Sequence, residues 1–108
     1  MFISGGENIS PEEIETALME KPGVEQALVV PVIDEEYGRR PAAFIKWSHA
    51  AEQDQNRLRH ALEGRLARYK IPDFWLPWPE KPPLRGGKLD RAGFREQAER
   101  LIIENGMR

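Results

Sequence analysis

A lysine preceded by two glycines, Gly86-Gly87-Lys88, lies inside the run Pro83–Arg91, PLRGGKLDR. Glycine takes positive φ without steric cost and lets a backbone approach another surface closely. With bare glycines before it, Lys88 is the one long charged feature of a thin loop. A lysine ammonium is a compact charge that meets phosphate or carboxylate oxygens, so the loop is suited to reaching into a pocket that holds an anion. A solvated lysine on a turn has the same spelling, and a lone motif of this size is weak. Asp90 is placed to cap a helix that begins near Arg91. A second glycine pair, Gly5-Gly6, stands near the start, followed by Glu7 and Asn8.

The other polar residues point to little chemistry. His49 and His60 lack metal-ligand spacing, so no metal site is expected. Glu13 and Glu15 are read as capping and surface residues, not as acid/base groups. Arg39 and Arg40 are candidates for touching phosphates, but a solvated turn is the expectation for both. Trp47, Trp75 and Trp78 are expected in core or interdomain packing rather than in a ligand cage.

The chain has 108 residues, enough for one small domain, 1–108, with little room for a deep substrate pocket. Charged residues make up 31% and hydrophobic ones 40%, a globular balance. The net charge of −2 gives no basic field for nucleic acid. Cysteine is absent, which removes disulfides and thiolate chemistry. No apolar run reaches membrane-spanning length, and Met1–Ile9 has no basic signal-peptide start. A cytoplasmic protein is the expectation.

The elements that must position these loops are legible in order. Met1–Ile3 is a stub strand that runs straight into Ser4-Gly5-Gly6, as in a domain cut from something longer. Ser10-Pro11-Glu12-Glu13 predicts a helix start, with Ser10 as cap, Pro11 in the first turn and Glu13 closing a capping box. Ile14, Ala17 and Leu18 give that helix one apolar face, and Pro22-Gly23 ends it. Val24–Ile33 reads as a buried strand in which Pro31 demands an edge or a bulge. Asp34–Pro41 is a charged turn, and Ala42–Trp47 is the returning antiparallel strand. Ser48–Gln55 reads as a polar loop. Leu58, Ala61, Leu62, Leu66 and Tyr69 mark a second amphipathic helix, with Gly64 inside it and Ile71-Pro72 as its stop. Phe74–Trp78 is a third strand, and Pro77, Pro79, Pro82 and Pro83 stiffen the approach to Gly86. Phe94, Ala98, Leu101 and Ile102 give a last helix its face, with Gly106 past its end. The sum is an α+β fold, a small antiparallel sheet of about three strands packed with three helices.

Two motifs at opposite ends match one pattern together. SGGENISPEEIE (Ser4–Glu15) resembles the segment that opens the small C-terminal domain of the acyl- and aryl-CoA synthetases, in the adenylate-forming superfamily. PLRGGKLDRAGFR (Pro83–Arg95) resembles the segment that closes it. VEQALVVPVIDEEYGRRPAAFI and LARYKIP resemble the parts between, in order. Gly86 departs from the usual serine, and the lysine is kept. A narrower likeness, to one aryl-CoA ligase branch, rests on Val29–Pro41, where most of the superfamily carries glycine in place of Pro31.

The resemblance implies a lid domain that works with its own large N-terminal domain, absent here, on ATP, a carboxylate and CoA. Magnesium would be held by that larger domain. Lys88, presented by Gly86 and Gly87, would be the catalytic lysine of adenylate formation. Gly5, Gly6 and Glu7 would line the path of the CoA thiol in the second half-reaction. The family's hinge residue falls just before Met1, so the chain is expected to begin at the hinge and to be inactive alone. Two rivals stand beside this reading: an adenylation domain serving a carrier protein, and a non-catalytic α+β interaction module.

Overall fold

The computed structural model describes residues 1–49 and 51–107. Ala50, inside the expected Ser48–Gln55 loop, and Arg108 lie outside the described residues. The elements run β1 (Phe2–Ser4), β2 (Glu7–Ile9), α1 (Pro11–Met19), β3 (Val24–Asp34), β4 (Gly38–Trp47), α2 (Gln55–Glu63), a 3-10 turn (Arg68–Lys70), β5 (Phe74–Pro77), β6 (Leu84–Arg85), β7 (Lys88–Leu89) and α3 (Arg91–Glu104). The α+β class holds, and both glycine pairs sit in β-hairpins of their own.

The central sheet has the order β3-β4-β5. Along β3, successive side chains enter opposite layers, the period of a strand. Ala27 and Val29 join a core with Ile14, Leu18, Leu58 and Leu62. Leu28, Val30 and Val32 join a second core with Phe44, Phe94, Ala98 and Ile102. Helices thus cover both faces, which is why the β3 run is apolar almost without interruption rather than alternating. Phe94 is fully buried and meets Phe44 edge-on, with ring centroids 5.1 Å apart; Trp78 leans on it at 5.2 Å. β3 is an edge strand of this sheet, and Pro31 stands directly opposite Pro41 of β4. The edge placement expected for Pro31 is therefore observed.

β5 pairs parallel to β4, with Ala42 opposite Phe74 and Ile45 opposite Pro77. The sheet is therefore mixed, not wholly antiparallel. The cause is the connection: α2 carries the chain back along the sheet, and a helical crossover returns the next strand in the same direction.

Several local expectations are corrected. The β3–β4 ladder runs down to Asp34 opposite Gly38, so the turn is tighter than Asp34–Pro41. The Asp34 carboxylate accepts from the N–H groups of Glu36 and Tyr37 at 3.0 and 2.7 Å and closes it. Ser10 occupies the N-cap of α1, but its side chain makes no cap bond. Glu13 does not complete a capping box either; its carboxylate pairs with Lys70 at 2.8 Å. The hydrogen bond to Glu13 is the main cause that raises the Lys70 pKa above its ordinary value. α2 ends at Glu63 with Gly64 as its C-cap, so Gly64 is a terminus and not an interior residue. Leu66 and Tyr69 follow the helix and still pack on the first core. Asp54, read as loop, caps α2: its side chain accepts from Asn56 and Arg57 at 3.1 and 3.2 Å. Among the described residues, no helix is long and apolar enough to cross a membrane.

Candidate functional site: two glycine hairpins

β6 and β7 form a minimal antiparallel hairpin, Leu84 opposite Leu89 and Arg85 opposite Lys88. Its turn is Gly86-Gly87, with φ of 58° and 80°. Positive φ at both central residues is the type I′ geometry, whose twist matches that of the flanking strands. A Cβ at either glycine would meet nothing within 4 Å, so the tip stands clear of the rest of the fold. Lys88, the first residue after the turn, is exposed. Among the described residues no carboxylate pairs with its ammonium.

The base of this hairpin is tightly held. Asp90 N–H donates to the Pro83 carbonyl at 2.9 Å. A Cβ on Gly93 would lie 2.5 Å from the Pro83 Cβ, so only glycine lets the first turn of α3 close against the incoming strand. The Asp90 side chain does not cap α3 as expected; its nearest cation is Arg85, at 3.9 Å. Arg91 makes the main anchor. Its guanidinium donates to the Glu15 carboxylate at 2.8 and 2.9 Å and to the Val29 carbonyl at 3.2 Å. Glu15 also accepts from Val29 N–H at 2.8 Å and is 7% exposed, so it is a buried structural group and not a surface residue. Hydrogen bonding to Glu15 outweighs burial and raises the Arg91 pKa above its ordinary value.

The first glycine pair forms the second hairpin. β1 and β2 pair antiparallel, Phe2 opposite Ile9 and Ser4 opposite Glu7, and Gly5 and Gly6 turn the chain with φ of 56° and 85°. Gly5 N–H donates to the Tyr37 carbonyl at 2.9 Å. A Cβ on Gly5 would come within 2.8 Å of the Tyr37 ring, whereas one on Gly6 would meet nothing within 4 Å. Gly5 is thus the residue pressed against the fold, and Gly6 is the outward one. Gly5 and Glu7 border an open groove of about 1060 Å³, lined also by Tyr37, Arg40, Arg59 and Tyr69. Gly86, Gly87 and Lys88 do not line it. The two candidate loops are therefore separate devices on one scaffold, each with its own anchor.

Arg40 overturns the expectation of a solvated turn. It is 7% exposed and spends its donors on five contacts. These are Asp73 through two bonds of 2.9 Å, the Ser4 hydroxyl at 3.1 Å, and the carbonyls of Tyr69 and Ile71 at 2.7 and 3.1 Å. Its partners lie 29 to 36 positions away, so no local pattern marks it. Among the described residues no cluster of three or more His, Asp or Glu could hold a metal ion; His60 sits only beside Glu63, at 3.4 Å.

The mixed sheet is covered on both faces and carries an exposed lysine hairpin anchored to its β3 edge. The chain's family follows from comparison with known proteins. Residues 13–88 match the AMP-binding enzyme C-terminal domain, and the chain belongs to that family. It is 36% identical over 100 residues to the 2-succinylbenzoate–CoA ligase of Escherichia coli (strain K12), covering 93% of this chain and 21% of that protein. It is 43% identical over 102 residues to the 2-succinylbenzoate–CoA ligase of Geobacillus kaustophilus (strain HTA426), covering 94% of this chain and 20% of the relative. A solved structure of an E. coli MenE variant with bound OSB-AMS superposes with a TM-score of 0.80 at 37% identity, over 93% of this chain and 21% of that one. The chain thus spans about a fifth of the length of these relatives.

Proposed function

We propose that this chain is the C-terminal lid of an ATP-dependent aryl-CoA ligase that activates o-succinylbenzoate, a step of menaquinone biosynthesis in the cytoplasm. The single observation that carries the catalytic part is Lys88, an exposed ammonium on a two-residue glycine hairpin whose base is locked to the core. The substrate assignment rests on the succinylbenzoate ligases among its relatives.

In the first half-reaction a carboxylate oxygen attacks the α-phosphorus of ATP, the bond to the bridging oxygen breaks, and pyrophosphate leaves. The chain's large N-terminal partner domain holds the nucleotide, the acid and magnesium. Lys88 enters between the carboxylate and phosphate oxygens, and its fixed charge offsets the negative charge that builds there. The glycine tip supplies reach without bulk. In the second half-reaction the lid swings and Lys88 withdraws. The Gly5-Gly6-Glu7 hairpin then borders the path by which the CoA sulfur reaches the acyl carbonyl and displaces AMP. The outward face of Gly6, clear of the fold, leaves room for the pantetheine arm.

The test is made on the full-length ligase that carries this domain. ATP–pyrophosphate exchange is measured with a panel of aryl and alkyl acids, then product formation with CoA and with a carrier protein. Exchange driven by o-succinylbenzoate and discharge onto CoA are expected. Exchange with other acids only, or discharge onto a carrier protein only, contradicts the assignment.

A further inference from the structure

We propose that Arg40 is a positioning residue for thioester formation: it holds the Gly5–Gly6 hairpin at one fixed height above the groove. The proposal rests on the assignment of that hairpin to the thiol path. β1 and β2 have three residues each, and a two-stranded hairpin of this size is marginal by itself. Its tip therefore takes its position from what grips it.

The grip comes from two sides. On one, Tyr37 receives the Gly5 N–H on its carbonyl, and its ring lies where a Gly5 Cβ would stand, 2.8 Å from that position. On the other, Arg40 donates to the Ser4 hydroxyl, the last group before the turn, which is 3% exposed. Arg40 joins the two sides, because its guanidinium also lies 5.7 Å from the centre of the Tyr37 ring. The guanidinium is itself held on every side by hydrogen bonds. A bidentate pair with Asp73 fixes its plane, and Asp73 is tied by its own N–H to the Pro41 carbonyl at 3.0 Å. The carbonyls of Tyr69 and Ile71 take the remaining donors. A planar fork with five donors makes all these contacts at once, which a lysine cannot do. Phe2 and Ile9 seat the strands of the hairpin in the first core, and Arg40 refers its turn to the β4–β5 pair. The Lys88 hairpin is referred to α1 and β3 through a different side chain, Arg91. Loosening Arg40 is thus a fault in the thiol step alone.

The experiment uses the full-length ligase with Arg40→Lys, Ser4→Ala and, as a reference, Gly6→Trp. A thermal melt is run first. Pyrophosphate exchange and single-turnover discharge of preformed acyl-adenylate onto CoA are then measured separately. A displaced group of this kind costs about ten- to a hundredfold in the step it serves. Discharge is expected to fall by that much in Arg40→Lys and by about tenfold in Ser4→Ala, with exchange within about twofold of the parent in both. Ser4→Ala removes one hydroxyl and leaves the other Arg40 contacts, so it decides the matter if Arg40→Lys does not fold. Parent-rate discharge in a folded Ser4→Ala, or equal losses in the two half-reactions, overturns the positioning role. If Gly6→Trp folds and discharges at the parent rate, the fault lies instead in the thiol-path assignment itself.

Discussion

The Arg91 guanidinium clasps the Glu15 carboxylate through two hydrogen bonds, 76 positions apart in sequence. One partner follows the Lys88 hairpin and the other lies in the first helix, so the pair ties the end of the chain to its beginning. Arg91 is half exposed while Glu15 is nearly buried. Removing the arginine leaves a buried carboxylate whose only hydrogen-bond donor among the described residues is the Val29 N–H. Arg91→Met is expected to lower the unfolding free energy by about 2 kcal/mol, read from urea denaturation. The Arg91 pKa is raised in the folded state, so its contribution is present below the unfolded value and is lost only as pH rises through the raised one. The gap between parent and variant should therefore stay flat from about pH 7 to about pH 10. No measurable loss, or a gap that closes within that window, contradicts the clamp.

Gly5 and Gly6 share one turn and should respond differently to a methyl group. Both have positive φ, where a Cβ costs about 1–2 kcal/mol. At Gly5 the new carbon also meets the Tyr37 ring at 2.8 Å, while at Gly6 it meets nothing. Gly5→Ala is expected to be the more destabilising by about 1 kcal/mol or more, measured as a shift in denaturation midpoint. Equal losses, or the reverse order, would mean that Tyr37 does not grip the turn.

The described chain has a core on each face of its sheet, so the 108 residues are expected to melt cooperatively when expressed alone and to consume no CoA. Phe94 is the sharpest probe of that core. It is fully buried between Phe44 and Trp78, and Phe94→Ala is expected to cost about 3–5 kcal/mol. That is a large share of the stability of a domain this size. A broad, non-cooperative parent melt, or an alanine variant with parent stability, contradicts the packing described; turnover by the domain alone contradicts the lid reading.

What could be read from the sequence was local. The strand pair announced itself by an apolar run, a charged turn and a second apolar run. The glycine pairs marked real turns, because positive φ at two adjacent positions has few other solutions. The start of α1 was legible as a position, but its chemistry was not: Glu13 found Lys70, 57 positions on, a better partner than its own helix end. The direction of β5 was not legible, since one short apolar strand carries no sign of its polarity. Arg40, Glu15 and Arg91 were missed as anchors for a related reason. A charged side chain reads as solvated unless its distant partner is known, and each of these partners is brought in by the fold. Asp54 is the exception, as an aspartate before a helical run was there to be seen.

Lys88 is proposed to serve adenylate formation and to be withdrawn before the thiol attacks. Lys88→Ala in the full-length ligase tests it, with pyrophosphate exchange and single-turnover discharge of supplied acyl-adenylate measured on the same preparation. The hairpin tip touches little of the fold, so the variant should melt as the parent does. Exchange is expected to fall by about a hundredfold or more, the loss typical of removing one preorganised charge from a transition state, while discharge onto CoA stays within about threefold. Equal losses in both half-reactions, or exchange at the parent rate, would contradict the assignment of Lys88.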